Sequence, residues 1–176
     1  MSSIIVVFPK IENGKQMKEI LLQHGFEVEV VCSNGSMVLQ EIQRLDYGIV
    51  VGSYRFSDMF YTELLDCLPK EFEMLLIGSK QMLDQYGRQG VMSLTQPFKV
   101  KELVDTLHMM EMVQEKKIQK KKRSEKDKKV IEQAKQVLME RNHLSEEEAH
   151  RYLQKTSMDS GTNMAETAQM IVLLMQ

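Results

Sequence analysis

The chain has 176 residues, of which 43% are hydrophobic and 27% are charged, and its formal net charge is −2. This length and composition predict one or two domains with buried cores. The N-terminus lacks a secretory signal pattern and no apolar run reaches the roughly 18 residues of a membrane span. We therefore expect a soluble, cytoplasmic protein.

The first part of the chain alternates short apolar runs with helical patterns. Strands are predicted at 3–8, 26–32, 47–52, 72–79 and 91–94. Helices are predicted at 14–25, 33–45, 60–68 and 81–89, with another from Lys99 onward. Gly25 and Pro69 are the expected stop signals, and Ser33 or Asn34 is the expected N-cap of the second helix. This alternation predicts an α/β domain over 1–110, with a parallel sheet covered on both faces.

A long connector follows this α/β region. From Val100 about 42 residues contain neither proline nor glycine, which predicts one continuous helix. Apolar residues at a spacing of three to four predict the seam of a two-stranded coiled coil over 100–124, and thus a homodimer. The residues of this predicted dimer seam are Leu103, Leu107, Met110 and Val113. The alternative is that Leu103 and Leu107 pack back onto the sheet.

Positive charge concentrates in the connector. Residues 115–129 carry nine basic and three acidic side chains, whereas residues 1–110 carry 10 basic and 14 acidic ones. The basic run is either a solvated linker face or a contact with nucleic acid. The apolar pattern fades between Ile118 and Val130, so a helix and a flexible joint remain alternatives for 119–129.

Three short helical patterns occupy 125–176. The first places apolar residues on one face at Val130–Leu138, and the second opens with a capping box formed by Ser145 and Glu148. A break is predicted at 159–161, after which Thr162 or Asn163 is the expected cap of the third helix. Together they predict a small three-helix bundle.

The α/β region resembles the receiver domain of bacterial response regulators, which has a flavodoxin-like sheet. The most specific feature is the turn Gln96-Pro97-Phe98 between the last strand and the last helix. The family uses two acids after strand 1, an aspartate at the end of strand 3, a hydroxyl after strand 4 and a lysine after strand 5 to bind Mg²⁺ and a phosphoryl group. This chain has other residues at these positions, namely Phe8, Pro9, Val51 or Gly52, Gly78 and Gln96.

The resemblance therefore implies a receiver-like domain that has lost the phosphorylation pocket. The alternative is an unusual acceptor, Asp46 or Asp58. Asp46 would lie at the amino end of strand 3, the wrong edge of the sheet, and Asp58 would lie on a loop with no neighbouring acids. Neither can form a Mg²⁺ site alone, because the ion needs several oxygen ligands.

The C-terminal region resembles the ANTAR domain of bacterial antiterminator regulators. The matching residues are Ala134-Lys135, Leu138-Met139, Leu144-Ser145-Glu146, Ala149, Arg151, Leu153, Lys155, Ser157-Met158, Ala165 and Ala168. Two positions depart from the family: Ser157 replaces the usual alanine, and Gln154 stands where a basic residue is frequent. The resemblance implies a homodimer that binds paired hairpins in leader RNA, so that a terminator cannot form.

Six residues are candidate RNA contacts. Lys135, Arg141, Arg151 and Lys155 would meet phosphates, whereas His150 and Tyr152 would stack on unpaired bases. Tyr152 has the alternative of a place in the core.

No catalytic or metal site is expected. The cysteines Cys32 and Cys67 match no metal-binding spacing and are interpreted as small buried hydrophobic residues. The four histidines are scattered, and there is neither a nucleophile–base pair nor a glycine-rich phosphate loop. We thus expect no enzyme, no cofactor and no metal. A phosphorylation-dependent response regulator and a protein-interaction adaptor are the alternative functions, and a regulatory protein that binds the receiver-like domain is a possible partner.

Overall fold

The computed structural model describes residues 2–175 of the chain. The chain divides into two compact units, residues 1–116 and 117–176. One long helix, α5, spans Val100–Asn142 and contributes to both units. This confirms the predicted continuous helix, and residues 119–129 lie within it. No helix within residues 2–175 combines the length and the apolar character that a membrane span requires.

The N-terminal unit contains a five-stranded sheet. Its strands are β1 (Ser3–Val7), β2 (Val28–Cys32), β3 (Gly48–Gly52), β4 (Phe72–Ser79) and β5 (Met92–Gln96). The helices between them are α1 (Ile11–Gln23), α2 (Gly35–Glu41), α3 (Tyr61–Cys67) and α4 (Lys80–Tyr86). All strand pairs are parallel and the order is β2-β1-β3-β4-β5, which confirms the predicted flavodoxin-like sheet.

Each face of the sheet has its own apolar core. The strands are continuous apolar runs because alternate side chains enter opposite cores. On one face, Ile4, Val6 and Val51 pack with residues of α1 and of the first turns of α5. On the other face, Ile5, Val7 and Val50 pack with residues of α2 and α3. The two edge strands are less buried than the central ones, since only one of the five residues of β2 is buried and four of the five residues of β5 are exposed.

Several helix boundaries differ from the predicted ones. Helix α1 begins three residues early, at Ile11, and the predicted second helix is α2 followed by a 3₁₀ turn at Ile42–Arg44. The stop signal at Gly25 is confirmed, because α1 ends at Gln23 and Gly25 has a φ of 83° that favours glycine. Asn34 rather than Ser33 is the N-cap of α2, since its side chain accepts a hydrogen bond from the Met37 amide at 2.9 Å.

The interpretation of the cysteines is only half right. Cys32 is fully buried, and burial together with the nearby Glu41 carboxylate raises its pKa to about 11. Cys67, in contrast, is exposed at the end of α3. Cys67 lies three positions after the buried Leu64 and just before the partly buried Leu68, yet its own side chain is exposed, so the apolar run around it did not decide its burial.

The C-terminal unit packs the last part of α5 against α6 (Glu146–Ser160) and α7 (Met164–Leu174). Its core contains three alanines and two leucines, namely Ala134, Leu138, Ala149, Leu153 and Ala168. Small side chains at the contacts allow these helices to approach closely.

The helix ends of this unit follow the predicted signals. Ser145 and Glu148 form the capping box, with the Glu148 amide donating to the Ser145 hydroxyl at 3.2 Å and the Ser145 amide donating to the Glu148 carboxylate at 2.8 Å. Asn163 caps α7 in the same way, with Glu166 as its partner. Gly161 ends α6 with a φ of 68°. Tyr152 is 47% exposed, so the alternative of a place in the core is wrong for this residue.

Candidate functional site

At the carboxyl edge of the sheet, the residues directly after β1 and at the end of β3 are apolar residues or glycine rather than acids. Val51 is fully buried and its side chain belongs to the apolar core. At Gly52, a Cβ atom would lie 2.6 Å from both the carbonyl oxygen and the Cγ1 of Val7, so a side chain of any kind would collide. Among residues 2–175, no three His, Cys, Asp or Glu side chains are close enough to hold a metal ion. The residue types at this edge therefore cannot assemble the oxygen ligands that Mg²⁺ requires.

Asp58 has a different task in the structure. Its carboxylate accepts hydrogen bonds from the backbone amides of Gly35 and Ser36, each at 2.9 Å, and from the Ser36 hydroxyl at 2.6 Å. Partial burial pushes the pKa of Asp58 upward, but the hydrogen bonds from Ser36 and Gly35 outweigh this effect and hold the pKa below its ordinary value. Asp58 thus satisfies the first amides of α2 rather than facing the sheet edge. Asp46 precedes β3 and lies at the opposite, amino edge.

A cavity of about 730 Å³ opens at this carboxyl edge. One wall is α1 and the opposite wall is the loop that follows β3, residues 53–57. Three of the predicted pocket positions, Phe8, Pro9 and Gln96, line it. Gly78 is buried at the end of β4 and does not line the cavity.

The predicted dimer seam is not a surface of this structure. Leu103 and Leu107 are fully buried and Met110 is 3% exposed, because all three pack into the core under α1. Their spacing of three to four positions is that of any helix face, and the sheet rather than a second chain covers it. Only Val113 is exposed, at 44%, and it lies beside the exposed Met109 and Met112.

A buried polar cluster fixes α5 to the amino edge of the sheet just beyond these residues. The Gln114 amide nitrogen donates to the carbonyl oxygens of Gly48 and Glu71, each at 2.9 Å. The Ser2 hydroxyl donates to the Gln114 side-chain oxygen, and the Ser2 amide donates to Glu111 at 3.2 Å. The helix therefore belongs to the sheet domain as far as Gln114.

The candidate RNA contacts on α6 do not form one patch. Side chains two positions apart on an α-helix are rotated by about 200° around its axis, so His150 and Tyr152 lie on opposite sides of α6. Arg151 and Lys155, at i and i+4, share the face opposite the buried Ala149 and Leu153, and Tyr152 is the i,i+3 neighbour of Lys155. All of these candidates are exposed. Arg151, Tyr152 and Lys155 therefore form one exposed surface of α6, and His150 lies on the other side of the helix.

Two of the basic candidates already have acidic partners. The Lys135 side chain is 13% exposed, and its Nζ atom lies 3.2 Å from the Glu132 carboxylate and 4.0 Å from the Glu146 carboxylate. Arg151 pairs with Glu147 at 2.6 Å, but both side chains are more than 70% exposed and this ion pair is weak. Lys135 thus connects α5 to the start of α6, whereas Arg151 can exchange its partner.

Sequence reasoning missed two sets of residues. Ser53, the first residue after β3, lines the cavity together with Lys10 and Arg55, although only their positions at strand ends could have suggested it. In the C-terminal unit, Arg123 and Lys126 line a shallow groove of about 230 Å³ with Asn163 and other residues of α7. The basic run in the sequence contains this second set. However, no sequence feature near Arg123 and Lys126 indicates that the start of α7 lies beside them.

Comparison with known proteins agrees with both resemblances. Residues 120–172 match the family model of the ANTAR domain. No curated protein sequence matches the chain.

Several solved structures similar to the chain are response regulators or receiver domains. The chemotaxis response regulator CheY4 of Vibrio cholerae is 19% identical, with 62% of this chain and 98% of that chain covered and a TM-score of 0.53. A CheY-like receiver domain protein from Methanospirillum hungatei JF-1 is 20% identical over 66% of this chain and 98% of that chain, with a TM-score of 0.55. The signal receiver domain of a modulated diguanylate cyclase from Desulfovibrio desulfuricans G20 is 14% identical over 66% and 98%, with a TM-score of 0.58. At these identities the comparison establishes the fold.

Proposed function

Because the chain carries a receiver-like fold followed by an ANTAR domain, we propose that it is an RNA-binding transcription antiterminator. As a homodimer it binds paired hairpins in a leader RNA, and aspartyl phosphorylation does not control it. The observation that supports RNA binding is the family match over residues 120–172. The observation that supports control without aspartyl phosphorylation is the absence of clustered acids at the sheet edge within the described residues.

The face of α6 with Arg151, Tyr152 and Lys155 is the RNA contact that the geometry supports best. An exposed aromatic ring beside two guanidinium or ammonium groups provides base stacking and phosphate contacts together. His150 lies on the other side of α6, Arg141 is exposed in the last turn of α5, and Lys135 contributes by holding α6 in place. The basic residues Arg123 and Lys126 lie next to the start of α7, in a groove that the acidic residues Asp127 and Glu166 also line.

A gel-shift experiment tests this proposal. The full chain is titrated against the leader of its own transcript and against the same leader with the second hairpin deleted. Loss of a base-stacking ring costs about 1–3 kcal/mol, so we expect Tyr152→Ala to weaken binding roughly 5- to 150-fold. Lys155→Gln should weaken binding and reduce the slope of log affinity against log salt by about one. Lys15→Gln removes an exposed charge from α1 and is the control.

Two results would contradict RNA binding at this face. One is equal affinity of the wild type for both leaders and for an unrelated duplex. The other is an unchanged affinity in Tyr152→Ala together with a loss in Lys15→Gln. Recovery of the chain only with another protein, with no RNA affinity, would favour the protein-interaction adaptor.

The homodimer needs a surface other than the predicted seam. The exposed apolar residues of α5, Met109, Met112 and Val113, are 44–60% accessible and lie side by side on the helix. Such a patch on a charged helix is a suitable contact for a second copy. Analytical ultracentrifugation of Met112→Glu should reveal monomers where the wild type is dimeric. A wild-type monomer at micromolar concentration would exclude this contact.

Control without phosphorylation requires another input to the receiver-like domain. A regulatory protein partner on that domain, or the amount of protein made, would supply it. Affinity purification from inducing and non-inducing cells distinguishes the two, because recovery of the free dimer alone under both conditions argues against a partner.

A further inference from the structure

The cavity at the carboxyl edge has the position and size of a ligand site. In open α/β sheets, ligands bind outside the carboxyl ends of the strands where the strand order reverses. Here that point lies between β1 and β3, because β1 has β2 on one side and β3 on the other. The cavity occupies this crevice, and its volume of about 730 Å³ is in the range of sites for small organic molecules.

The interior of the cavity is apolar. Phe8, Met17, Phe56 and Ile77 contribute side chains that are between 2% and 7% exposed, and Phe98 adds a further ring. A phosphate or a hydrated metal ion gains nothing from such walls, whereas a ring or a branched chain does.

The rim of the cavity is basic. Lys10, at the start of α1, and Arg55, in the loop after β3, contribute two positive charges, and none of the lining residues is acidic. Neither cation has an ion pair among residues 2–175, and Arg55 instead lies over the Phe60 ring at 5.5 Å. The nearest aspartate along the loop, Asp58, is engaged by the amides of α2. The rim also offers amide and hydroxyl groups from Asn13, Gln16 and Ser53.

From this combination we propose that the cavity binds a small organic anion with an apolar body, of the aromatic carboxylate class. The ring packs among the phenylalanines, and the carboxylate meets Lys10 and Arg55. Such a ligand would give the receiver-like domain an input in the place that phosphorylation occupies in the domains it resembles. The inference rests on the sheet domain alone, so it stands or fails independently of RNA binding.

Ligand competition on the full chain tests the proposal. The fluorescent probe 8-anilinonaphthalene-1-sulfonate, which combines rings with an anionic group, is titrated first. Phenylacetate and indole-3-acetate then compete with it, and the neutral amides of the same two acids serve as matched competitors. We expect the acids to displace the probe at lower concentration than the amides.

Amino-acid substitutions test whether these ligands bind in the cavity. One partly exposed charge–charge contact contributes up to about 1 kcal/mol, so Lys10→Gln and Arg55→Gln should each lower the affinity for the acids roughly three- to fivefold. The same variants should leave the amides unchanged. Gln16→Trp places a bulky ring at the exposed mouth without touching the core, and it should abolish competition by both classes. Lys70→Gln, an exposed charge after α3 that does not line the cavity, is the control.

Four results would overturn the proposal. The first two are a lack of saturable binding of the probe or the acids up to about 10 mM, the weakest affinity of interest, and equal displacement of the probe by acids and amides. The other two are unchanged binding of the acids to Gln16→Trp, and a loss of acid affinity in Lys70→Gln equal to that in Lys10→Gln and Arg55→Gln. Circular dichroism and thermal melting of each variant establish that it is folded.

Discussion

The replacement of Gln114 by glutamate is the sharpest test of how α5 is held on the sheet. Gln114 is 2% exposed, and its amide nitrogen donates to the carbonyl oxygens of Gly48 and Glu71 at 2.9 Å. Glutamate keeps the size and the acceptor for Ser2 but lacks the donor. Its carboxylate would then face two carbonyl oxygens in a buried site, so the destabilisation should exceed that of Gln114→Ala.

The expected magnitude follows from the hydrogen bonds. Alanine removes three of them, each worth about 0.5–1.5 kcal/mol net, so Gln114→Ala should lower the free energy of unfolding of the N-terminal unit by roughly 2–4 kcal/mol. Gln119→Ala is the matched control, because Gln119 lies on the same helix, is exposed, and should change stability by less than about 0.5 kcal/mol.

Urea unfolding followed by circular dichroism measures these differences. Hydrogen exchange of peptides that cover β3 and β4 locates them, because the lost bonds end at Gly48 and just before Phe72. Wild-type stability in Gln114→Glu, or an equal loss in Gln119→Ala, would refute the placement of α5 on the sheet.

Three further predictions concern the capping groups and the sheet edge. Asp58→Ala should destabilise the N-terminal unit by about 1 kcal/mol at pH 7, as for loss of a helix cap. Because the folded-state pKa of Asp58 is lowered, the wild type should keep this advantage above the unfolded pKa of about 3.9 and lose it as pH falls through the folded pKa; a difference in urea midpoint that stays constant from pH 7 to pH 2 would contradict this. Ser145→Ala should destabilise the C-terminal unit by about 1 kcal/mol in urea unfolding, whereas Ser124→Ala, in an exposed turn of α5, should not; equal effects would argue against the capping box. Incubation with radiolabelled acetyl phosphate and Mg²⁺ should leave the chain unlabelled, and an acid-stable count on Ser53 or a labile one on Asp58 would restore phosphorylation as the means of control.

Local sequence signals determined the elements and the identity of the second domain. The apolar runs of the strands, the capping box at Ser145 and the glycines at 25 and 161 act within a few residues, and the structure agrees with each of them. The ANTAR positions are also local, since they lie on three consecutive helical segments that match the family model. The missing acids are equally a property of the residues themselves, because no arrangement of Phe8, Pro9, Val51 and Gly52 supplies a carboxylate.

The partners of each helix face were decided only by the tertiary structure. Leu103 and Leu107 have the spacing of a coiled coil, but the same spacing suits a sheet, and the sheet covers them. Tyr152 could have packed inward, yet the alanines of the C-terminal core bring the helices together around Leu138 and Leu153 and leave it exposed. Lys10 and Arg55 are 45 positions apart, and they line one cavity only because β1 and β3 are neighbouring parallel strands. The periodicity of a sequence predicts whether a helix face is apolar or charged. The packing of segments that are distant in the sequence determines which residues contact that face.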